Sequence, residues 1–292
     1  MRAPEVESEL WLKLENLQPI GSFKLRGALN AIRSAAPEEL RDGVLTATAG
    51  NMGQGVAWAA RELELPCTVI VPDVAPQTKL DAMERLGATV VKLPHAQWWQ
   101  VLVDSRYEDV PGLFVHPVED ERVMAGNGTI GLELLEDLPD LDAVIVPFGG
   151  GGLSVGIASA LKASRPDARV YAAEPATGAP LTAAFESGEA RPLDDYQASF
   201  VDGAGAPQLL PKMWGLAQEA LDGAFAMPLD DVAAAVRLLA ERARIVAEGA
   251  GALGVAAALA GKADGARKVV AVISGGNIDS EKLALILGGE TP

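Results

Sequence analysis

The sequence places glycine-rich turns where apolar runs end and Ala-rich runs begin, and each such turn can aim backbone N–H groups at an anion. The densest is GGGGL at Gly149, Gly150, Gly151, Gly152 and Leu153, after the run AVIVPF and before LSVGIASALKA. Successive glycines let amides converge, and a helix start adds the positive end of its dipole, which together make a phosphate cradle. A plain strand-to-helix turn would need only one or two glycines. A second turn, TATAGNMGQG at residues 46–55, offers Thr48, Ala49, Gly50, Asn51 and Met52 as a loop suited to a substrate carboxylate, with the Asn51 amide as an added hydrogen-bonding group. Taken alone it also reads as an Asn-capped helix start. A third turn, SGGNID at residues 274–279, sets the Ser274 hydroxyl at the end of the run KVVAVI.

These turns need a scaffold that brings them together. Short β-rich runs alternate with Ala-rich helical patterns, the signature of βαβ units and of parallel sheets covered on both faces. Strands are expected over residues 44–47, 68–71, 88–93, 143–148, 169–173 and 268–273, and helices over 55–63, 77–86, 153–163, 229–248 and 250–259. Residues 178–213, rich in Pro and Gly, read as loops and short helices. Ligands of open α/β sheets bind beyond the carboxyl ends of strands, where all three turns would lie. A dinucleotide fold competes, because Glu174 ends the strand after the glycine loop. Its G-x-G-x-x-G frame does not fit: begun at Gly149 it puts Ser154 at the third glycine, and begun at Gly150 it puts Val155 there.

The 292 residues are 49% hydrophobic and 22% charged, a globular balance for one large domain or two associated ones. Aromatic residues are only 5%, so the core must be built from Ala, Val, Leu and Ile. A formal net charge of -16 argues against nucleic-acid or anionic-membrane partners, because phosphate contacts need a surplus of Lys and Arg. Cys67 is the sole cysteine, which excludes an internal disulfide and a cysteine-built zinc site and fits a reducing compartment. No signal peptide or membrane-length apolar run is visible, so the expected location is the cytoplasm.

Lys24 lies in GSFKLRG between apolar neighbours, and desolvation favours the neutral amine that a Schiff base requires. Composition alone would make it a surface lysine on an amphipathic helix. The segments ENLQPIGSFKLRGA, TAGNMGQG, GGGGL, VAEGAGALGVAAAL (residues 246–259) and SGGNID, in that order, resemble the fold-type II pyridoxal 5'-phosphate (PLP) enzymes. The branch is that of the threonine and serine dehydratases and serine racemases, and the resemblance covers nearly the whole chain. It implies an α/β, tryptophan synthase β-like fold with two open, twisted, mostly parallel sheets flanked by helices, in two domains with the cofactor in the cleft. Residues 1–32 and 123–292 would form the larger, PLP-binding domain and residues 33–122 the smaller, substrate-closing one. By the same resemblance Lys24 would carry PLP as a Schiff base and serve as the catalytic base, Phe23 would pack beside the ring, and Asn51 would bond its 3'-oxygen. Gly149 to Gly152 and Leu153 would hold the 5'-phosphate, Ser274 would face the pyridine nitrogen, and the loop from Thr48 to Met52 would bind the substrate carboxylate.

A hydroxyl at the ring nitrogen cannot stabilise a pyridinium as an aspartate would, so elimination is favoured over a long-lived carbanion. The implied activity removes the β-hydroxyl of a small L-hydroxy-amino acid such as threonine or serine, giving a 2-oxo acid and ammonia. Lys24 would take the α-proton while the cofactor phosphate assists the leaving hydroxyl. The rival activities are a phenylserine-type dehydratase, because Met52 stands where a histidine usually follows this Asn, and a racemase, whose second serine base Ala49 replaces. A β-replacement synthase and a catalytically silent PLP-binding homologue complete the set. Glu174 resembles the first ligand of a divalent-cation site found in some relatives, with Gly178 as a carbonyl ligand, but Pro180 replaces the expected acid and no metal is expected. His95 and His116 receive no catalytic role, His116 lying in VHPVEDE, which resembles a structural turn of the family. The pair Trp98 and Trp99 reads as packing or as a dimer surface, and a homodimer follows from the resemblance only.

Overall fold

The computed structural model describes residues 8–48, 50–75 and 77–292. The chain divides into two compact units: the described residues up to Ser22 together with Gly128–Pro292, and Phe23–Asn127.

The smaller unit contains α1 (Lys24–Arg33), β2 (Val44–Ala47), α2 (Asn51–Glu62), β3 (Cys67–Pro72), α3 (Gln77–Arg85), β4 (Thr89–Leu93), α4 (His95–Asp104), β5 (Leu113–Phe114) and the start of α5 (Glu121–Asp137). Its strands form a parallel sheet in the order β4-β3-β2-β5. All four residues of β2 are buried, as expected of a strand covered on both faces. Two close approaches bind α1 to this unit. A Cβ on Gly55 of α2 would come within 2.9 Å of both the Lys24 carbonyl carbon and its oxygen, and one on Gly27 within 2.7 Å of Val123 in α5. The helix that starts at Lys24 thus clusters with the smaller unit, whose bounds are Phe23 and Asn127. Gly55→Ala should force α2 off the Lys24 backbone. Overpacking of about 1–3 kcal/mol exceeds the roughly 1 kcal/mol gained from Ala in a helix, and urea titration should show a net loss.

The larger unit contains β1 (Glu9–Leu14), the remainder of α5, β6 (Ala143–Pro147), α6 (Gly152–Ser164), β7 (Arg169–Pro175), α7 (Pro180–Ser187), α8 (Pro211–Ala220), β8 (Gly223–Met227), α9 (Leu229–Leu238), α10 (Gly249–Leu259), β9 (Lys268–Ile273) and α11 (Ser280–Leu287). Its sheet is parallel throughout, in the order β1-β9-β6-β7-β8. Helix α10 is apolar on every side and buried from Gly249 to Ala258, which is where such a helix must go. The large core around it is mostly Ala, Val, Leu and Ile, with Phe200 and Met227 among the few larger exceptions.

The six expected strands all form, with ends shifted by no more than two residues. The three unforeseen ones, β1, β5 and β8, are all edge strands. An edge strand pairs on one side only and needs no continuous apolar run, so its pattern is weak. The helix expected over residues 229–248 stops at Leu238, passes through a π turn over Leu239–Ala243 and ends at Arg244, whose φ of 60° is left-handed. Among the described residues no helix is long and apolar enough to cross a membrane.

Candidate active site

In the larger unit β9 and β6 are neighbours, with Ile145 opposite Ala271, so the turns that follow them lie at the same edge of one sheet. The chain reverses its strand order here, since β7 lies on the other side of β6, and such switch points are where open α/β sheets bind ligands. After β6, Phe148 is fully buried while Gly149 is partly exposed and Gly150 exposed. Gly151 has φ 92°, and a Cβ there would come within 2.8 Å of Met213 and 2.9 Å of the Phe148 ring. Only glycine fits, and this conformation aims the chain into α6 at Gly152. The Ser154 hydroxyl donates to the Gly151 carbonyl at 3.2 Å, and the Val155 amide donates to it at 3.0 Å, so the loop is held from below while its crest stays open.

Ser274, 3% exposed, follows β9 directly. Its turn is stitched to the segment before Phe23: Ser22 and Gly275 form an antiparallel bridge, the Gly276 amide donates to Gly21 O at 2.9 Å, and the Asn277 side chain donates to Ile20 O at 2.9 Å. The Ser22 hydroxyl is fully buried with no hydrogen-bond partner among the described residues. An unsatisfied buried hydroxyl beside this turn is what a missing polar ligand would leave behind. Two further residues of this edge had no individual role assigned from the sequence. Gly203 comes so close to the glycine loop that a Cβ on Gly149 would lie 3.1 Å from its carbonyl oxygen, and the buried Glu248 lies against Gly275. The signal for Glu248 was present: it is the lone carboxylate in the apolar stretch from Ile245 to Leu259.

In the smaller unit Lys24 is the first residue of α1 and partly exposed, and its Nζ stands 5.0 Å from the centroid of the Phe23 ring. Phe23, 9% exposed, is the N-cap residue of that helix. The loop after β2 is held by several backbone bonds at its described residues. The Thr48 amide donates to Ile70 O, the Gly50 amide to Thr48 Oγ1 at 3.2 Å, and the Gly53 amide to Gly50 O. Asn51 opens α2, where the positive end of the helix dipole favours an anion. The nearest atom to a Cβ on Gly50 would be Thr48 Oγ1 at 4.0 Å, which leaves open space over the loop. Ala49 lies outside the described residues. Met52 is 2% exposed and packs in the core with Val56, Val69 and Met83, so its side chain is committed to the interior. The aryl-substrate reading rested on that side chain and loses its support.

Glu174 ends up with a different role from a cation ligand. It is fully buried, and its two oxygens accept bonds from the Leu181 amide at 3.1 Å, the Thr182 amide at 2.8 Å and the Thr182 hydroxyl at 2.8 Å. The start of α7 thus uses both oxygens, while Pro180 opens that helix and the Gly178 carbonyl accepts from Ala206. These residues do not fit a divalent cation. Burial pushes the Glu174 carboxyl up to about 7 against the pull of those three bonds. Since the folded value exceeds the ordinary one of 4.5, protonated Glu174 contributes fully below about pH 4.5, and the contribution is lost as pH rises through about 7. Relative to Glu174→Gln, wild-type stability should fall by about 3 kcal/mol across that range. Denaturant titrations of both proteins at either end of the window check this, and a constant difference would contradict it.

His116 is structural: its Nδ1 accepts from the Val118 amide at 3.1 Å and the Glu119 amide at 2.9 Å, and burial lowers its proton affinity. Trp98 packs on Leu45, Ala47 and Ile70, while Trp99 is 46% exposed.

Within the larger unit, a glycine loop at a helix start, a buried hydroxyl at a strand end and an unsatisfied hydroxyl beside that end fit a phosphorylated ring. Comparison with known proteins agrees. Residues 2–275 match the family described as pyridoxal-phosphate dependent enzyme. The chain is 39% identical to the L-threonine ammonia-lyase of Thermotoga maritima over 286 residues, covering 96% of this chain and 70% of that one. It is 38% identical to the catabolic L-threonine dehydratase of Escherichia coli (strain K12), covering 97% and 87%. Among solved structures, maize serine racemase superposes with TM-score 0.90 at 30% identity, covering 96% of this chain and 87% of that one. The processed form of threonine deaminase isoform 2 from Solanum lycopersicum gives 0.87 at 31% identity, covering 97% and 79%. With the fold, the glycine loop and the lysine motif in agreement, the chain belongs to the pyridoxal-phosphate-dependent enzymes of fold type II, in the branch of the threonine and serine dehydratases.

Proposed function

We propose that this enzyme removes the β-hydroxyl of a small L-hydroxy-amino acid, threonine or serine, to give a 2-oxo acid and ammonia. The observation that carries the reading is the pairing of β6 and β9, which puts a phosphate-type glycine loop and a hydroxyl, in place of a carboxylate, at one sheet edge. The names of the relatives, L-threonine ammonia-lyase and L-threonine dehydratase, point the same way.

PLP, when bound, supplies the electron sink that makes the substrate's α-proton acidic. The residues that would hold it are Lys24, Phe23 and Asn51 from the smaller unit, and Gly149 to Gly152, Leu153 and Ser274 from the larger. The Gly149 to Gly152 loop, at the start of α6, would hold its phosphate. The loop from Thr48 to Asn51 binds and orients the substrate carboxylate, so that the α-proton meets one fixed base. Lys24 Nζ takes that proton as general base, and a proton delivered to the β-hydroxyl as its bond to carbon breaks lets it leave as water. Loss of water and hydrolysis of the remaining enamine balance as one hydroxy-amino acid in and one 2-oxo acid plus ammonia out. The hydroxyl of Ser274 accepts or donates one hydrogen bond without imposing a charge, which favours rapid elimination.

The protein loaded with PLP should form 2-oxo acid from L-threonine and L-serine and little from L-phenylserine. Production from none of the three would overturn the reading, and preference for L-phenylserine would restore the aryl alternative. The resemblance also supports a homodimer in the cytoplasm, for which light scattering should give twice the chain mass of 30.3 kDa.

A further inference from the structure

Glu174 is a fully buried carboxyl near the carboxyl end of β7, the strand beside β6 and its glycine loop, and the proposed chemistry does not use it. Its oxygens accept from the Leu181 amide, the Thr182 amide and the Thr182 hydroxyl, so they clamp the first turn of α7 back onto the strand that leads to it. The clamp closes residues 175–179 into a tight loop, in which the Gly178 amide donates to Pro175 O at 2.9 Å. A buried carboxyl is costly without such bonds, and all three hold the same helix start.

The closed loop in turn holds the segment that borders the glycine loop. The Gln197 amide donates to Thr177 O at 2.9 Å, and the Ala206 amide donates to Gly178 O at 3.3 Å. Gly205 is left-handed at φ 77°, and a Cβ there would come within 2.7 Å of both Gly178 O and Pro175 Cγ, so the two stretches lie backbone against backbone. The Gly205 amide donates to Phe148 O at 2.9 Å, and Gly203 O would lie 3.1 Å from a Cβ on Gly149. The Phe148 amide donates to Ala173 O, the residue before Glu174, so the contacts return to where they began. Both Glu174 oxygens and the carbonyls of Pro175, Thr177 and Gly178 already accept from N–H or O–H groups, and a hard cation would need several of those oxygens for itself.

We propose that Glu174 is a positioning residue of the cofactor site: by clamping α7 it fixes the loop that holds residues 203–206 against Gly149, and so keeps the glycine loop in its phosphate-binding shape without a divalent cation. The inference rests on the reading of Gly149 to Gly152 as the phosphate loop. Glu174 acts through other residues, so its loss should weaken the grip on the phosphate and spare the rest of the cofactor. The ratio of affinities for PLP and for pyridoxal, which lacks the phosphate, reads that difference.

The test uses the full chain freed of PLP, as wild type, Glu174→Gln, Thr182→Val and Gly150→Ala. Affinities for PLP and pyridoxal are measured by fluorescence quenching at one pH, after treatment with a chelator and again with added magnesium or calcium. Glu174→Gln puts an amide N–H₂ where an oxygen accepted, and should lower the preference for PLP over pyridoxal about tenfold. Thr182→Val removes one of the three donors at similar volume and should lower it about threefold. Wild type should bind PLP equally with chelator and with either cation. A Glu174→Gln variant that folds normally and keeps the wild-type preference overturns the proposal, and if that variant does not fold, an unaltered Thr182→Val overturns it. A wild type that loses its preference with chelator and regains it with a cation overturns it too, because Glu174 would then serve an ion. Gly150→Ala separates the two readings: a lowered preference there beside an unaltered Glu174→Gln removes Glu174 alone, whereas an unaltered preference in Gly150→Ala overturns the phosphate-loop reading and the proposal with it.

Discussion

Lys24→Ala should leave a folded protein that no longer holds PLP covalently and has lost at least about a thousandfold in 2-oxo acid formation, since base and anchor disappear together. The fold should survive because Lys24 is only partly buried, at the start of α1, where alanine is a good helix former. Borohydride reduction followed by peptide mass analysis checks the anchor directly. Wild type should carry the cofactor on the peptide that contains residue 24, and the variant on none. A variant that retained reducible cofactor at another lysine would remove Lys24 from its role whatever its activity. The neighbouring Phe23 ring, 5.0 Å from Nζ, limits where the amine can go, so Phe23→Ala offers a milder companion that keeps the anchor and loosens it.

Gly151→Ala should be damaging for a reason that chemistry plays no part in. Its φ of 92° costs an L-residue about 1–2 kcal/mol, and the new Cβ would press on the Phe148 ring at 2.9 Å and on Met213 at 2.8 Å. Phe148 is fully buried and Met213 is 1% exposed, so neither moves away freely. Overpacking adds about 1–3 kcal/mol. A total loss of about 2–5 kcal/mol should appear in urea unfolding. The loop that survives should bind phosphate poorly, so the preference for PLP over pyridoxal should fall about tenfold. Gly150→Ala is the matched control. Gly150 is exposed on the crest of the same loop, so its substitution should reduce the phosphate preference with little change in stability. Equal stability in both variants would show that the left-handed turn is not the constraint.

Legibility of the fold followed burial. The interior strands β2, β3, β6, β7 and β9 show as apolar runs because a parallel strand covered on both faces must be apolar throughout. Of the four edge strands, β1, β5 and β8 did not show, because pairing on one side imposes no such run, while β4 carries enough Val and Leu to be read. The end of α9 was hidden as well. The apolar spacing of residues 229–248 suits a continuous helix, and the π turn and Arg244 arise from how the segment must meet Asn16 and Gly276.

The site divides in a similar way. The glycine loop could be named as an anion cradle from its residues, whereas Lys24, Asn51 and Ser274 take their roles only through the segments that resemble the family. Met52 and Glu174 could not be judged, since their types allow either a ligand role or a structural one. Only the structure buries Met52 among Val56 and Met83 and gives both oxygens of Glu174 to the start of α7. Glu248 and Ser22 lie more than 200 positions apart along the chain, yet both lie against Gly275. What this chain determines by its sequence alone is therefore the family and the cofactor, which depend on local residue type and order. Which carboxylates and side chains are committed to packing, and which helix travels with which unit, was decided by tertiary contact. Burial and close backbone approach are properties of pairs distant in sequence, and no local pattern records them.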